Sequence, residues 1–212
     1  MIAGKARVLL VDDHAVVRAG FRHLLENHRK YEVSEAASSE EAYQAYGEIE
    51  PDVVVLDVSM PGMGGIEGLR RLRSRYSDAR VLLLSMYDDP AFVARAMKIG
   101  AMGYISKNSA ADSLVEAIAA VLGGKQYFSA DIAAQMRAVN RDYDSDTLAL
   151  STREFEIFRL LAEGRSVSTI ADDLNLSPKT VSNHRSRLME KLNLKTTAEL
   201  VHFAIRQGIV AA

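Results

Sequence analysis

From the N-terminus, short apolar runs alternate with stretches whose apolar positions recur every three or four residues. Arg7-Val8-Leu9-Leu10-Val11 predicts a buried strand that stops at Asp12-Asp13. Ala15 to Leu25 then has helical spacing, with Val16, Phe21, Leu24 and Leu25 available for a core face. Tyr31 to Ala36 predicts a weaker strand, and Ser38 to Tyr46 a helix capped by Ser38 or Ser39 with Glu41 in its first turn. Asp52 to Asp57 is the clearest strand, β-branched and continuous as interior parallel strands are. Ile66 to Tyr76 follows as helix, Arg80 to Ser85 as strand, Pro90 to Ile99 as helix, Met102 to Ile105 as a short strand and Ala110 to Leu122 as helix. Five strand–helix pairs predict an α/β fold with a doubly wound, five-stranded parallel sheet.

After Gly123-Gly124 the alternation stops. Residues 124–148 are mixed, and Arg141 to Asp146 is a polar, acidic stretch suited to an interdomain linker. From Leu150 onward only helical patterns occur, over Thr152 to Ala162, Val167 to Leu174, Pro178 to Leu192 and Thr197 to Gln207. The expectation is an α/β domain over 1–123, a linker over 124–148 and a small all-α, four-helix domain over 149–212.

Composition narrows the chemistry. Among 212 residues there is no cysteine, which excludes disulfides, thiolate metal sites and a cysteine nucleophile. No apolar run approaches the ~20 residues of a membrane span, and Met1 to Arg7 lacks a signal-peptide pattern, so a cytoplasmic protein is expected. The net charge of −2 conceals a division. Residues 1–125 carry 15 basic and 17 acidic side chains, residues 126–148 two and four, and residues 149–212 nine and seven. The sums are −2, −2 and +2, so the helical end alone is positive.

In an open parallel sheet, chemistry gathers beyond the carboxyl ends of the strands. Asp12 and Asp13 end the first predicted strand, Asp57 the third and Ser85 the fourth, while Lys107 follows the fifth. Taken singly, an aspartate there is an ordinary cap or turn residue and a lysine an ordinary surface residue. Taken together, three carboxylates repel one another unless a hard cation sits among them or their pKa values rise. Mg²⁺ suits such oxygen ligands and keeps water, leaving room for a phosphoryl group, while Lys107 and the Ser85 hydroxyl can meet phosphate oxygens.

In the helical half, Ser166 to Leu192 reads as helix, tight turn, helix, with Ser177 as N-cap and Pro178 at the first helical position. A helical wheel places Val181, Leu188, Met189 and Leu192 on one side. Lys179, Asn183, Ser186, Arg187 and Glu190 lie opposite, with Thr180, Ser182, His184 and Lys191 at the flanks. Arg185 falls near the apolar stripe, so its head must reach past it. Such a face suits base edges and phosphates, although a solvated surface helix can have the same composition.

These residues carry a family resemblance. Val11-Asp12-Asp13-His14, Leu56-Asp57 with Met60-Pro61-Gly62, Ser85-Met86, Gly103-Tyr104 and Lys107 resemble a bacterial response-regulator receiver domain over about residues 5–123. Leu150-Ser151-Thr152-Arg153-Glu154, Ile170-Ala171, Leu176 to Val181, His184 and Lys191-Leu192 resemble the LuxR-type helix-turn-helix domain. The whole chain is thus similar to NarL/FixJ-type two-component regulators. The resemblance implies that Asp57 accepts phosphoryl from a sensor histidine kinase. Mg²⁺ would be held by Asp12, Asp13, Asp57 and the Ser59 backbone carbonyl, with Asp13 the more direct ligand of the first two. Ser85 and Tyr104 match the hydroxyl-and-aromatic switch pair, with Tyr104 moving inward when Ser85 turns to the phosphate, and Lys107 is the phosphate-binding cation. Ser182, Asn183 and Ser186 are implied to face bases, and Lys179, Thr180, Arg187 and Lys191 phosphates. The implied partners are double-stranded DNA with paired half-sites and a second copy of the chain, on DNA or when phosphorylated; RNA polymerase is a further candidate.

Two positions depart from the pattern. Asn108 stands where many receivers have proline after a cis bond, and Gly64 where aspartate is common. Two other classes share parts of this pattern. An aspartate-nucleophile phosphohydrolase would need a second aspartate at Ser59, and turnover of a phosphomonoester with Mg²⁺ would reveal it. A phosphate-independent regulator would need none of the five-residue set and would keep regulated DNA binding in Asp57→Asn. The expectation is therefore a transcriptional regulator and not an enzyme, apart from its own phosphorylation and dephosphorylation.

Overall fold

The computed structural model describes residues 4–86, 90–138, 150–207 and 209–210. The chain forms two compact units, divided between Val139 and Asn140.

In the first unit, β1 (Ala6–Val11), β2 (Tyr31–Ala36), β3 (Val53–Asp57), β4 (Val81–Ser85), β5 (Gly103–Ser106) and β6 (Tyr127–Phe128) form one parallel sheet in the order β2-β1-β3-β4-β5-β6. The crossovers contain α1 (Ala15–Asn27), α2 (Ser39–Ile49), α3 (Gly65–Arg75), α4 (Pro90–Ile99) and α5 (Ala110–Leu122). Successive strand residues point to opposite faces, so Val8, Leu10, Val53, Val55, Leu82, Leu84 and Ile105 share one core with Leu25 of α1 and Leu114, Ile118 and Val121 of α5. On the other face α3 packs between α2 and α4. With helices on both faces every interior strand is apolar on both sides, which explains why β3 and β4 read as continuous runs. Of the two serines offered as the cap of α2, Ser38 serves: its Oγ accepts from the Glu41 N–H at 3.1 Å. Ser39 is buried beside Gly68.

The sheet has six strands where five were expected. Tyr127 and Phe128 pair with Gly103 and Tyr104. The close approach is possible because Gly103 has no side chain: a Cβ there would stand 2.6 Å from the Tyr127 carbonyl oxygen. Beyond β6, α6 (Ala130–Ala138) packs on α4 and β5. Residues 124–138, read as the start of the linker, therefore belong to the first unit. A two-residue strand is too short for an alternating pattern to register. The acidic stretch Arg141 to Asp146 lies outside the described residues.

The second unit contains α7 (Thr152–Ala162), α8 (Val167–Asp173), α9 (Pro178–Lys191) and α10 (Thr197–Arg206). Each begins on a hydroxyl cap, Ser151, Ser166, Ser177 and Thr196, accepting from the backbone three residues on. Left-handed Gly164, Asn175 and Asn193 follow α7, α8 and α9 and turn the chain sharply. The core gathers Phe155, Phe158, Ile170, Val181, Leu188, Leu200 and Phe203, with the Phe158 and Phe203 rings edge to face at 5.9 Å.

One contact sets the geometry of the strand edge. The Gly65 N–H donates to the Val58 carbonyl at 3.0 Å, so α3 starts against the end of β3. A Cβ on Gly65 would lie 2.0 Å from the Asp57 carbonyl oxygen. Gly65→Ala is expected to destabilise the first unit by about 2 kcal/mol, because backbone must move to admit the methyl group. Urea unfolding measures this, and an unchanged midpoint would mean that α3 can retreat from β3 without cost.

Candidate functional site

Strand ends bring the predicted acidic residues together. Asp12 follows β1 and Asp57 ends β3, and both are fully buried. Ligand atoms of Asp12, Asp13, His14 and Asp57 all lie within 4.8 Å of one another. Lys107, just after β5, places its Nζ 2.8 Å from Asp12 Oδ2 and 2.8 Å from Asp57 Oδ2. The loop itself is fixed by the Lys107 N–H, which donates to the Ser85 carbonyl at 2.7 Å. Ser59 donates its N–H to Asp57 Oδ1 at 3.1 Å. The His14 N–H meets Asp12 Oδ1 at 2.8 Å, and its Nδ1 stands 3.1 Å from Asp13 Oδ1 without the alignment of a hydrogen bond.

Three carboxylates face one lysine. Burial pushes the Asp57 carboxyl above its ordinary value, and the Lys107 ammonium opposes that shift without cancelling it. For Lys107, burial lowers the pKa but the hydrogen bonds it donates to Asp12 and Asp57 outweigh it, so the ammonium is held in its charged form. The three carboxylates of this cluster are hard oxygen donors, Asp13 Oδ1 is buried and accepts no hydrogen bond, and such a set fits a divalent cation.

Ser85 and Tyr104 lie on adjacent strands and are both fully buried, so Tyr104 is inward in this arrangement. The described peptide bonds are all trans, the Lys107–Asn108 bond included. Gly64, at the N-cap of α3, offers no side-chain acceptor, and the neighbouring loop is held instead by Glu40, whose Oε1 accepts from the Met63 N–H at 2.9 Å.

In the second unit, Lys179, Ser182, Asn183, Ser186 and Arg187 are exposed along α9, opposite the buried Val181, Leu188 and Met189. Thr180 is half-buried, with its hydroxyl 2.8 Å from Ser177 Oγ, and Ser186 Oγ donates to the Ser182 carbonyl at 3.1 Å. Arg185 does reach past the apolar stripe, to Thr197 Oγ1 at 3.0 Å. Lys191 is exposed and also makes a contact within the unit. Its Nζ meets the buried Glu154 Oε2 at 2.7 Å, and the same carboxylate oxygen accepts from the Ser151 N–H at 2.7 Å. One side chain thus completes the capping box of α7 and anchors the last turn of α9. His184 packs half-buried nearby, and burial lowers its pKa. His14 and Glu154 stand inside the quoted family motifs without an assigned role, although Ser151-x-x-Glu154 is a local capping-box pattern; nothing local in the sequence marks Glu40.

A buried acidic pocket at a strand edge, faced by a lysine, and a helix-turn-helix unit in the same chain define a phosphoacceptor-type regulator. Residues 8–119 match the response regulator receiver domain, and residues 148–204 match the LuxR family of bacterial regulatory proteins. The chain is 40% identical over 209 residues to the response regulator UvrY of Escherichia coli K12, covering 97% of this chain and 96% of that protein. It is 37% identical over 210 residues to the response regulator GacA of Pseudomonas aeruginosa, covering 97% and 98%. Among solved structures it resembles RcsB from Salmonella enterica serovar Typhimurium, bound to promoter rprA in the presence of phosphomimetic BeF3-, with 27% identity, a TM-score of 0.59 and coverage of 94% and 98%. The chain belongs to the NarL/FixJ-type response regulators, transcriptional regulators that bind DNA under the control of phosphorylation.

The Glu154 carboxyl yields a prediction on the second unit. Burial works against its charge, but the hydrogen bonds from Lys191 and Ser151 outweigh that and hold its pKa below the ordinary value. Its contribution is therefore present above the ordinary carboxylate range and lost as pH falls through the depressed value. Glu154→Ala is expected to cost about 2 kcal/mol at neutral pH, less than a fully buried pair because Lys191 is partly exposed. Helical signal followed through urea titrations at neutral and acid pH measures both, and the wild-type advantage should vanish on the acid side.

Proposed function

We propose that Asp57 is the phosphoacceptor of a two-component pathway and that its phosphorylation governs DNA binding by α9. The observation that carries this reading is the Lys107 ammonium shared between Asp12 and Asp57, beside Asp13, whose buried Oδ1 accepts no hydrogen bond. Asp57 attacks the phosphorus of a kinase phosphohistidine; the new P–O bond forms as the P–N bond breaks, and the imidazole leaves and takes up a proton. The product is an acyl phosphate. Lys107 and the Ser85 hydroxyl then donate to phosphoryl oxygens. Asp12, Asp13, Asp57 and the Ser59 carbonyl would hold Mg²⁺, which when bound neutralises charge on the transferring group. Water later attacks the phosphorus and restores the Asp57 carboxylate. Ser59 supplies no carboxylic acid at the position where a phosphohydrolase would protonate a leaving group, which supports a phosphoacceptor with slow self-dephosphorylation over a turnover enzyme.

For the DNA face, Ser182, Asn183 and Ser186 are the base-facing residues, and Lys179, Thr180 and Arg187 the phosphate contacts. Ser182 and Ser186 are short and tolerant readers, so they set no operator by themselves. Lys191, engaged by Glu154, serves mainly to hold α9 in place and adds little phosphate affinity. A phosphorylated homodimer on paired half-sites, acting in the cytoplasm and contacting RNA polymerase, completes the proposal. Among the described residues no helix is long and apolar enough to cross a membrane.

The test uses acetyl phosphate with Mg²⁺ and duplexes selected by the chain from a random pool. Mass spectrometry should show one phosphoryl group on the wild type and none on Asp57→Asn. Phosphorylation should tighten DNA binding by about 5- to 150-fold in the wild type and not in the variant. Equal gains in both proteins would favour a phosphate-independent regulator.

A further inference from the structure

We propose that Ser129 and Asp131, at the junction of β6 and α6, are positioning residues for the Lys107 loop, and that through them α6 registers the phosphorylation state of Asp57. The proposal rests on Asp57 being the phosphoacceptor.

The loop from Ser106 to Ser109 is gripped from two sides. Towards the acidic site, the Lys107 N–H is bonded to Ser85 and its ammonium to Asp12 and Asp57. Towards α6, buried Ser129 makes two bonds to β5. Its N–H donates to the Tyr104 carbonyl at 3.2 Å, and its Oγ accepts from the Ser106 N–H at 3.2 Å. A single serine side chain thereby extends the β5–β6 ladder one step beyond the strand. Its carbonyl in turn accepts from the Ala133 N–H at 2.8 Å, in the first turn of α6.

Asp131 adds a second tie. Ser109 Oγ lies 3.4 Å from Asp131 Oδ1. Burial raises the Asp131 pKa, but hydrogen bonds from Ser129, from the Ile132 and Asp131 backbone and from Ser106 bring it below its ordinary value. The loop also closes on itself. The Asn108 N–H donates to Ser106 Oγ at 3.3 Å, and Ser109 Oγ donates to the Ser106 carbonyl at 3.2 Å. The first of these bonds requires an N–H at position 108, which proline would not supply. The substitution of asparagine for the common proline therefore ties the loop more firmly to itself.

Lys107 is thus flanked by Ser106, bonded to Ser129 and Asp131, and by Ser109, whose single hydroxyl proton is shared between the Ser106 carbonyl and Asp131. An acyl phosphate on Asp57 adds charge and acceptor oxygens within reach of the Lys107 ammonium. The ammonium follows the phosphoryl oxygens, its hold on Asp12 weakens, and the loop shifts. Ser129 and Asp131 pass that shift to α6, the last described element before the second unit in chain order.

Amide hydrogen exchange on the full chain tests this, with and without beryllofluoride and Mg²⁺. In the wild type, exchange across 130–138 should change by about fivefold or more, together with the Lys107 loop. In Ser129→Ala and Asp131→Asn the loop should still respond while the change across 130–138 disappears. A wild type whose loop responds but whose α6 does not overturns the proposal, whatever the stability of the variants. A response of α6 that persists in both variants overturns it as well. Silence of the loop, α6 and the β3–α3 connection together overturns the phosphoacceptor reading, and this proposal with it.

Discussion

The receiver unit is organised around an ammonium group held between two buried carboxylates. Lys107 Nζ stands 2.8 Å from both Asp12, just after β1, and Asp57, at the end of the adjacent β3. Burying Asp57 without a partner would cost several kcal/mol, roughly 3–5 by comparison with broken buried pairs. Lys107 reaches the pair from the loop after β5, on the far side of β4, and the parallel order of the sheet brings it there. The same pair leaves the pocket net negative, because Asp13 adds a third carboxylate. A site in this condition attracts a hard cation and is prepared for a group carrying its own oxygens. Gly65 matters for the same reason: only a residue without Cβ lets α3 start against the Asp57 carbonyl.

The second unit solves a smaller problem by similar means. A helix that presents a polar face needs its orientation fixed from behind. The apolar side of α9 supplies most of that through Val181, Leu188 and Met189. The Glu154–Lys191 pair adds direction, since it joins the first turn of α7 to the last turn of α9. A cation at a helix C-terminus also complements the helix dipole. The positive balance of this half is consequently divided: Lys179 and Arg187 face outward, whereas Lys191 is engaged in structure.

Much of this was legible along the chain. Continuous β-branched runs, hydroxyl caps and aspartates at strand ends are local signals, and they placed β1 to β5, all four helices of the second unit and the acidic pocket. What escaped depends on residues that meet only after folding. Glu154 and Lys191 are 37 positions apart. Lys107 and Asp12 are 95 apart, yet their meeting at one edge is expected from the sequence, because strand ends share an edge in this topology and the resemblance supplies the set; the ion pair between them is not. Nothing comparable announces β6, whose pairing rests on the missing side chain of Gly103 and on two residues too few to alternate. The inward position of Tyr104 was likewise invisible, since a sequence does not record which of two side-chain arrangements a core adopts.

If Lys107 holds the place of a cation between Asp12 and Asp57, its removal should open that place. Calorimetric titration of Mg²⁺ into the wild-type chain and Lys107→Met tests this most directly. The variant should bind Mg²⁺ about tenfold more tightly, because a charge of the same sign no longer stands a few ångströms from the ligands. Equal or weaker binding by Lys107→Met would contradict the account.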